Sequence, residues 1–318
     1  MRSTSCLLVF AVTCLPTIAF AQRLSPAAAR DKIEIQTDVE YGKAGERSLK
    51  LDVIKPKEAH DKPRACVVWI HGGGWQNGNK SSGTGRLAGL VATGDYVGVS
   101  VGYRLTDETP WPGQIHDCKA AIRWIRANAK TLNIDPDKIG VWGSSAGGHL
   151  VSMLGTSGDV KELEGKNGSP EVSSRVTCVV DFCGPSDFLA IPKDSPRVSN
   201  PTDALYKLFG GPLGEKQDIA KEASPITYVT KDDPPFLIVH GTDDRTVAIK
   251  QAELLHDAQK KAGVNTTFVK ITGGGHGIGG PKVDERVQAF FAKHLLGKEV
   301  EVSSAAIEGA PMTAKQKK

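Results

Sequence analysis

Residues 143–147 read Gly-Ser-Ser-Ala-Gly, between the apolar run Lys-Ile-Gly-Val-Trp at 138–142 and the small and apolar residues of 148–154. A buried strand, a sharp turn carrying a serine between glycines, and then a helix is the local arrangement that exposes a serine as a nucleophile. Glycines tolerate so tight a turn, and the helix N-terminus favours negative charge developing beside the serine oxygen. The G-x-S-x-G spacing selects Ser145 over Ser144. A serine hydroxyl is a poor nucleophile by itself; it needs a base, a group that orients the base, and donors for the oxyanion of a tetrahedral intermediate. The chemistry in prospect is acyl transfer, and the rest of the chain has to supply those parts.

When a serine sits at such an elbow, the partners follow in the order acid, then histidine. His276, in Gly-Gly-Gly-His-Gly at 273–277, comes late, follows an apolar strand-like run, and has glycines around it that let a loop carry the imidazole over the serine. The other histidines fit less well: His71 and His240 end buried runs, His149 follows the elbow, His256 and His294 lie on helix surfaces, and His60 is in an early loop. For the acid, His240-Gly241-Thr242-Asp243-Asp244-Arg245-Thr246-Val247 places Asp244 at the aspartate of an HGxxDxxV pattern. Asp243 reads as a turn former or cap, and Asp187, after the preceding strand, is a second position for the acid. The oxyanion donors are expected from the N–H of Ala146 and from Gly73 and Gly74 in His71-Gly72-Gly73-Gly74, with Gly72 serving turn geometry. Trp75, Tyr103 and Trp111 follow strand ends near this constellation and are expected to line an acyl or aromatic pocket, although core packing suits Trp111 about as well. His116 and Asp117 are adjacent on a helix and so point to different faces; Asp117 reads as a structural hydrogen-bonding residue. The glycine loops match neither a dinucleotide fingerprint nor a P-loop, and no cofactor or metal is called for.

These residues need elements to position them. Alternating segments at 33–41 and 48–54, joined by turn residues, predict a β-hairpin at a sheet edge. Apolar runs at 64–70, 96–101, 138–142, 176–182, 236–240 and 266–271 predict strands buried on both faces. Helical patterns at 85–93, 115–130, 246–262 and 283–296 lie between or after them. The alternation implies an α/β protein: a doubly wound, mostly parallel sheet of about eight strands, with an N-terminal antiparallel hairpin. Every motif above falls at the carboxyl end of a strand, where such sheets bind ligands. Residues 184–234 form too long a stretch for a plain loop and are expected to make a small cap or lid. Residues 22–32 read as flexible and 298–318 as a disordered tail.

The chain has 318 residues and a formal net charge of +4, scattered rather than clustered, which gives no footprint for nucleic acid or an anionic membrane. Residues 1–21 read as a secretory signal peptide: Arg2, an apolar stretch, and Ala19-Phe20-Ala21 before Gln22. A short membrane anchor is disfavoured by Pro16, and Cys14 is poorly placed for a lipoprotein signal. The expectation is therefore a secreted or periplasmic protein with a catalytic domain over 22–297. Of the six cysteines, Cys66, Cys118, Cys178 and Cys183 remain after cleavage. Cys178 and Cys183 lie roughly 16 Å apart if extended, too far to bridge, so buried thiols are expected.

Taken together, HGGGW at 71–75, Tyr103-Arg104-Leu105, the 115–121 helix start, GSSAG at 143–147, HGTDD at 240–244 and GGGHG at 273–277 resemble the α/β-hydrolase esterases. The similarity is above all to the BD-FAE-like group, named for bifunctional acetylxylan/feruloyl esterases and related to the hormone-sensitive-lipase type. It spans roughly 33–296. The resemblance implies a serine carboxylesterase acting on small-molecule or polysaccharide-linked esters, such as acetyl or feruloyl groups. Unlike hormone-sensitive-lipase relatives, this chain has no room for a helical N-terminal cap, which leaves 184–234 to shape the pocket. A lipase or peptidase with the same residues, and a non-catalytic binding module on this fold, are the alternatives.

Overall fold

The computed structural model describes residues 25–158, 160–192 and 195–309; the stretch 1–21, expected to be a signal peptide, lies outside them. Nine strands form one sheet: β1 Ile33–Ala44, β2 Arg47–Pro56, β3 Arg64–Ile70, β4 Tyr96–Val101, β5 Ile134–Ser144, β6 Cys178–Phe182, β7 Phe236–Gly241, β8 Thr266–Thr272 and β9 Ile307–Glu308. Their order is β1-β2-β4-β3-β5-β6-β7-β8-β9. The β1–β2 hairpin joins β4 antiparallel, and every later pairing is parallel.

The unbroken apolar runs of the central strands follow from coverage on both faces. In β3 all seven residues are buried, and they alternate between two cores: Cys66, Val68 and Ile70 face one, Ala65, Val67 and Trp69 the other. Helices α1 (Pro26–Asp31), α2 (Ser82–Val91) and α9 (Pro281–Leu296) contribute Ala29, Leu87, Val91, Val287 and Phe291 to the second core. Helices α3 (Gly113–Ala127), α4 (Ala129–Leu132), α5 (Ala146–Thr156) and α8 (Lys250–Ala262) pack on the first, through residues such as Ile115, Ile122, Leu132, Leu150 and Leu255.

Two expectations need correction. The tail is not disordered throughout: residues 298–309 are ordered, and Ile307 and Glu308 pair with Ile271 and Thr272 to add the ninth strand, with Ile307 buried. The N-terminal stretch holds α1, where Ser25 accepts the N–H of Ala28 as a cap and Pro26 opens the helix. The four cysteines at 66, 118, 178 and 183 are free and buried, as their spacing suggested. No helix among the described residues is long and apolar enough to cross a membrane.

Between β6 and β7, the described part of 184–234 contains 3-10 turns at Phe188–Ala190, Pro196–Val198 and Pro225–Tyr228 and the short helices α6 (Ala204–Phe209) and α7 (Gln217–Glu222). Phe188, Leu208 and Phe209 are buried in the first core. Its last 3-10 turn, Pro225–Tyr228, lies against α5 and α8.

Candidate active site

Parallel register sets the site. Gly143 of β5 lies opposite Ile70 of β3 and Asp181 of β6, so the loops starting at His71, Ser145 and Cys183 emerge side by side. Ser145 itself takes φ 59°, ψ −121°, a conformation costly for any residue with a Cβ. Its N–H donates to the Phe182 carbonyl at 2.7 Å, and its carbonyl accepts the His149 N–H at 2.9 Å to start α5. The flanking glycines answer to space rather than torsion. A Cβ on Gly147 would sit 2.1 Å from the Ile70 carbonyl oxygen, and one on Gly143 2.2 Å from that of Gly147.

His276, in the loop after β8, brings Nε2 to 2.9 Å from Ser145 Oγ, while Nδ1 lies 2.7 Å from Asp244 Oδ2. Asp244 Oδ1 accepts the N–H groups of Thr246 and Val247 at 2.8 and 2.9 Å. Burial would raise the Asp244 carboxyl, but hydrogen bonds from His240, His276 and the Val247 N–H outweigh it and hold the group far below the usual carboxylate range. The two other aspartates have local duties. Asp187 Oδ1 accepts from Leu189 and Ala190 N–H at the head of a 3-10 turn, and Asp243 Oδ1 accepts from Thr242 Oγ1. Cys183, at φ 45°, donates its thiol to the His276 carbonyl at 3.5 Å, and burial pushes that thiol up to about 12. Cys183, Asp244 and His276 hold ligand-type atoms within 4.8 Å of one another, but the aspartate and histidine spend theirs on each other.

The loop after β3 presses against the nucleophile turn: a Cβ on Gly72 would stand 2.7 Å from the Ser144 carbonyl oxygen. Gly73 and Gly74 have φ of 114° and 60°, and the Gly73 carbonyl is occupied by the Asn77 N–H at 2.9 Å. The N–H groups of Gly73, Gly74 and Ala146 have no partner among the described residues. Three backbone donors are thus left available beside Ser145.

Trp75, Tyr103 and Trp111, expected at a pocket, lie in the first core. All three are buried and spend their polar ends within the protein. Tyr103 Oη donates to the His71 carbonyl at 2.9 Å with its ring stacked on His71, and Trp111 Nε1 donates to Glu222 Oε1 at 2.9 Å. Trp75, at φ 57°, donates Nε1–H to His149 Nδ1 at 3.1 Å. They brace the glycine loop and the cap. Arg104 holds Asp117 through two guanidinium contacts of 2.8 and 2.7 Å, which confirms a structural place for that aspartate next to Tyr103.

His149, dismissed in the sequence as a residue that merely follows the elbow, is the centre of this bracing. It is fully buried, accepts from Trp75, and donates Nε2–H to the Ala223 carbonyl at 2.7 Å, joining glycine loop, α5 and cap. No local pattern announces a contact between residues 74 positions apart. Burial drives its imidazole down to about 4, against the opposing pull of the Ala223 carbonyl. The folded state therefore keeps this ring neutral while the unfolded chain binds a proton below about pH 6.5. Stability from this group is lost as pH falls from about 6.5 to about 4, by about 3 kcal/mol at the lower end. Urea unfolding at pH 7 and pH 4.5 tests this: His149→Gln should lose markedly less stability than the wild type over that interval. Equal losses in both would refute it.

The chain is similar to known esterases. The BD-FAE family model matches residues 51–259. Esterase LipC of Mycobacterium tuberculosis is 31% identical over 232 residues, covering 72% of this chain and 56% of its own length; the chain spans about half the length of the curated relatives it matches. Among solved structures, a truncated carbohydrate esterase from gut microbiota superposes with a TM-score of 0.75 at 32% identity, over 83% of this chain and 96% of that one. Thermogutta terrifontis esterase 2, phosphonylated by sarin, superposes with a TM-score of 0.68 at 27% identity, over 82% and 94%. By sheet order, by the serine at the β5 elbow and by the family model that spans most of the sheet, the chain belongs to the BD-FAE family of α/β-hydrolase fold proteins.

Proposed function

We propose that the protein is a carboxylic ester hydrolase working through a Ser145–His276–Asp244 triad and an acyl-enzyme. The observation that carries this reading is the unbroken relay from Ser145 Oγ to His276 Nε2 at 2.9 Å and from His276 Nδ1 to Asp244 Oδ2 at 2.7 Å, beside three unpartnered backbone N–H groups. In this mechanism His276 removes the Ser145 proton as Oγ attacks the ester carbonyl. Asp244 fixes the imidazole with its hydrogen on Nδ1 and stabilises the imidazolium. The N–H of Ala146 with those of Gly73 and Gly74 receives the oxyanion, each such donor being worth about 3 kcal/mol in the transition state. His276 then protonates the departing alcohol, and the same steps with water as nucleophile release the acid.

For substrate we propose short-chain or aromatic esters, with acetyl or feruloyl groups on plant polysaccharide foremost. The support is the carbohydrate esterase named among the structural neighbours and the sequence resemblance. The nucleophile reading draws support from the sarin adduct of the Thermogutta esterase, since that reagent phosphonylates nucleophiles. Export, proposed from Arg2, the apolar stretch and Ala19-Phe20-Ala21, would place the enzyme where such polymers are found.

A panel of p-nitrophenyl esters of rising acyl length, methyl ferulate, acetylated xylan and a peptide anilide tests the reading. Highest kcat/KM on the shortest acyl esters, with acetate released from xylan or ferulate from its ester, is the expected result. Preference for long chains or for the anilide would replace it with a lipase or a peptidase. A folded protein that turns over none of them would be a binding module.

A further inference from the structure

His240, the penultimate residue of β7, carries a fully buried ring. Its Nε2 stands between two oxygens, 2.9 Å from the Val247 carbonyl and 3.2 Å from Asp244 Oδ2. Both are acceptors, so Nε2 carries the hydrogen. Nδ1 has no partner among the described residues and in this tautomer needs no acceptor. Asp244 Oδ2 therefore receives two imidazole N–H groups, from His276 at 2.7 Å and His240 at 3.2 Å, while Oδ1 receives two from the backbone. Four donors converge on one carboxylate whose side chain has no exposed surface.

We infer that His240 is a positioning residue for the His276–Asp244 pair: its Nε2–H holds Asp244 Oδ2 toward His276 and draws off part of the carboxylate charge. The inference rests on the triad reading above. Two features give it substance. The same N–H also engages Val247, whose N–H holds Oδ1, so His240 ties both ends of the carboxylate's anchorage to the rigid end of β7. A buried carboxylate also divides its charge among its donors, so each donor removed concentrates charge on those that remain. Without His240, more of that charge would fall on His276 Nδ1–H and favour the imidazolium, which cannot accept the serine proton. Other ionisable groups face this pair. Asp181 of β6 is hydrogen-bonded to Ser152 Oγ and the Gly184 N–H, Cys183 follows β6, and Glu253 of α8 is a half-buried acid paired with Lys270. All stay unchanged when only His240 is replaced.

The test uses the full chain, p-nitrophenyl acetate, and the variants His240→Leu, His240→Gln and Asp244→Asn, with thermal unfolding recorded for each. His240→Leu should lower kcat about ten- to hundredfold, the usual scale for losing the group behind a working histidine or carboxylate. KM should stay within about twofold, and the acid limb of kcat/KM should move to higher pH by about half a unit or more. His240→Gln, whose amide nitrogen reaches the place of Nε2, should recover most of both. In the Asp244→Asn background His240→Leu should cost nothing further, because the two act as a unit. Wild-type kcat and acid limb in His240→Leu, or a folded His240→Gln no better than it, would overturn the inference while leaving the triad intact. If His240→Leu does not fold, His240→Asn, polar but too short to reach Oδ2, takes its place, and a wild-type kcat there overturns the inference equally. Wild-type activity in Asp244→Asn is the separate result that would overturn the triad reading itself.

Discussion

Ser145→Ala is expected to lower kcat on p-nitrophenyl acetate by about a millionfold, the scale of losing a triad nucleophile, and to abolish covalent labelling by a fluorophosphonate. The loss should come without unfolding, because alanine meets the same contacts at Cβ and the Ser145 N–H bond to the Phe182 carbonyl belongs to the backbone. The companion change Ser145→Gly separates chemistry from strain. At φ 59°, ψ −121° a glycine relaxes what a Cβ opposes, so this variant should be equally inactive yet more stable by about 1 kcal/mol. Retained labelling in Ser145→Ala would move the nucleophile elsewhere. An inactive Ser145→Gly that is less stable than wild type would show that the turn stores no strain.

The second large effect concerns stability. Lys119 and Arg123 on α3 are both fully buried. Glu164 lies between them, with Oε1 2.7 Å from Lys119 Nζ and Oε2 2.6 Å from Arg123 Nη1. Lys119 also donates to the Ser157 carbonyl and Arg123 to the Asn167 carbonyl, so the pair clips the 157–167 loop onto the helix. Removing the carboxylate that two buried cations share leaves them with neutral acceptors only in its place, and breaking such an arrangement costs about 3–5 kcal/mol. Glu164→Gln is isosteric and keeps one acceptor, so about 3 kcal/mol is expected from urea unfolding. Adding Lys119→Met should return part of it by removing one of the two charges. A loss under about 1 kcal/mol from Glu164→Gln would show that the backbone carbonyls alone suffice for the two cations.

What could be read in the sequence had local signals. The loops at 71–75, 143–147, 240–244 and 273–277 each follow a strongly apolar run, and parallel register then lines up their strand ends, so a motif's place in the chain was enough to put it at the site. What could not be read was tertiary. β9 is two residues long and follows a polar segment, so no periodicity marks it; it exists because Ile307 finds the second core. Trp75, Tyr103 and Trp111 look alike as aromatics near strand ends, and only the positions of His149, the His71 carbonyl and Glu222 show that each is a brace. His240 was hidden for the opposite reason. Ending a buried strand was a sufficient account of it until Asp244 was seen to share its hydrogen.

The imidazole of His149 gives the fold a constraint of another kind. One ring holds Trp75 on its Nδ1 side and the Ala223 carbonyl on its Nε2 side, so the glycine loop after β3 and the segment between β6 and β7 hang from a single bracket. A replacement segment lacking a carbonyl at the position of Ala223 would leave His149 Nε2–H without its acceptor and loosen the ring that holds Trp75. Phe188, from the same segment, packs edge-on against both His149 and Trp75, while its neighbour Leu189 is 46% exposed. A change in one of these two segments is therefore felt by the other through one imidazole.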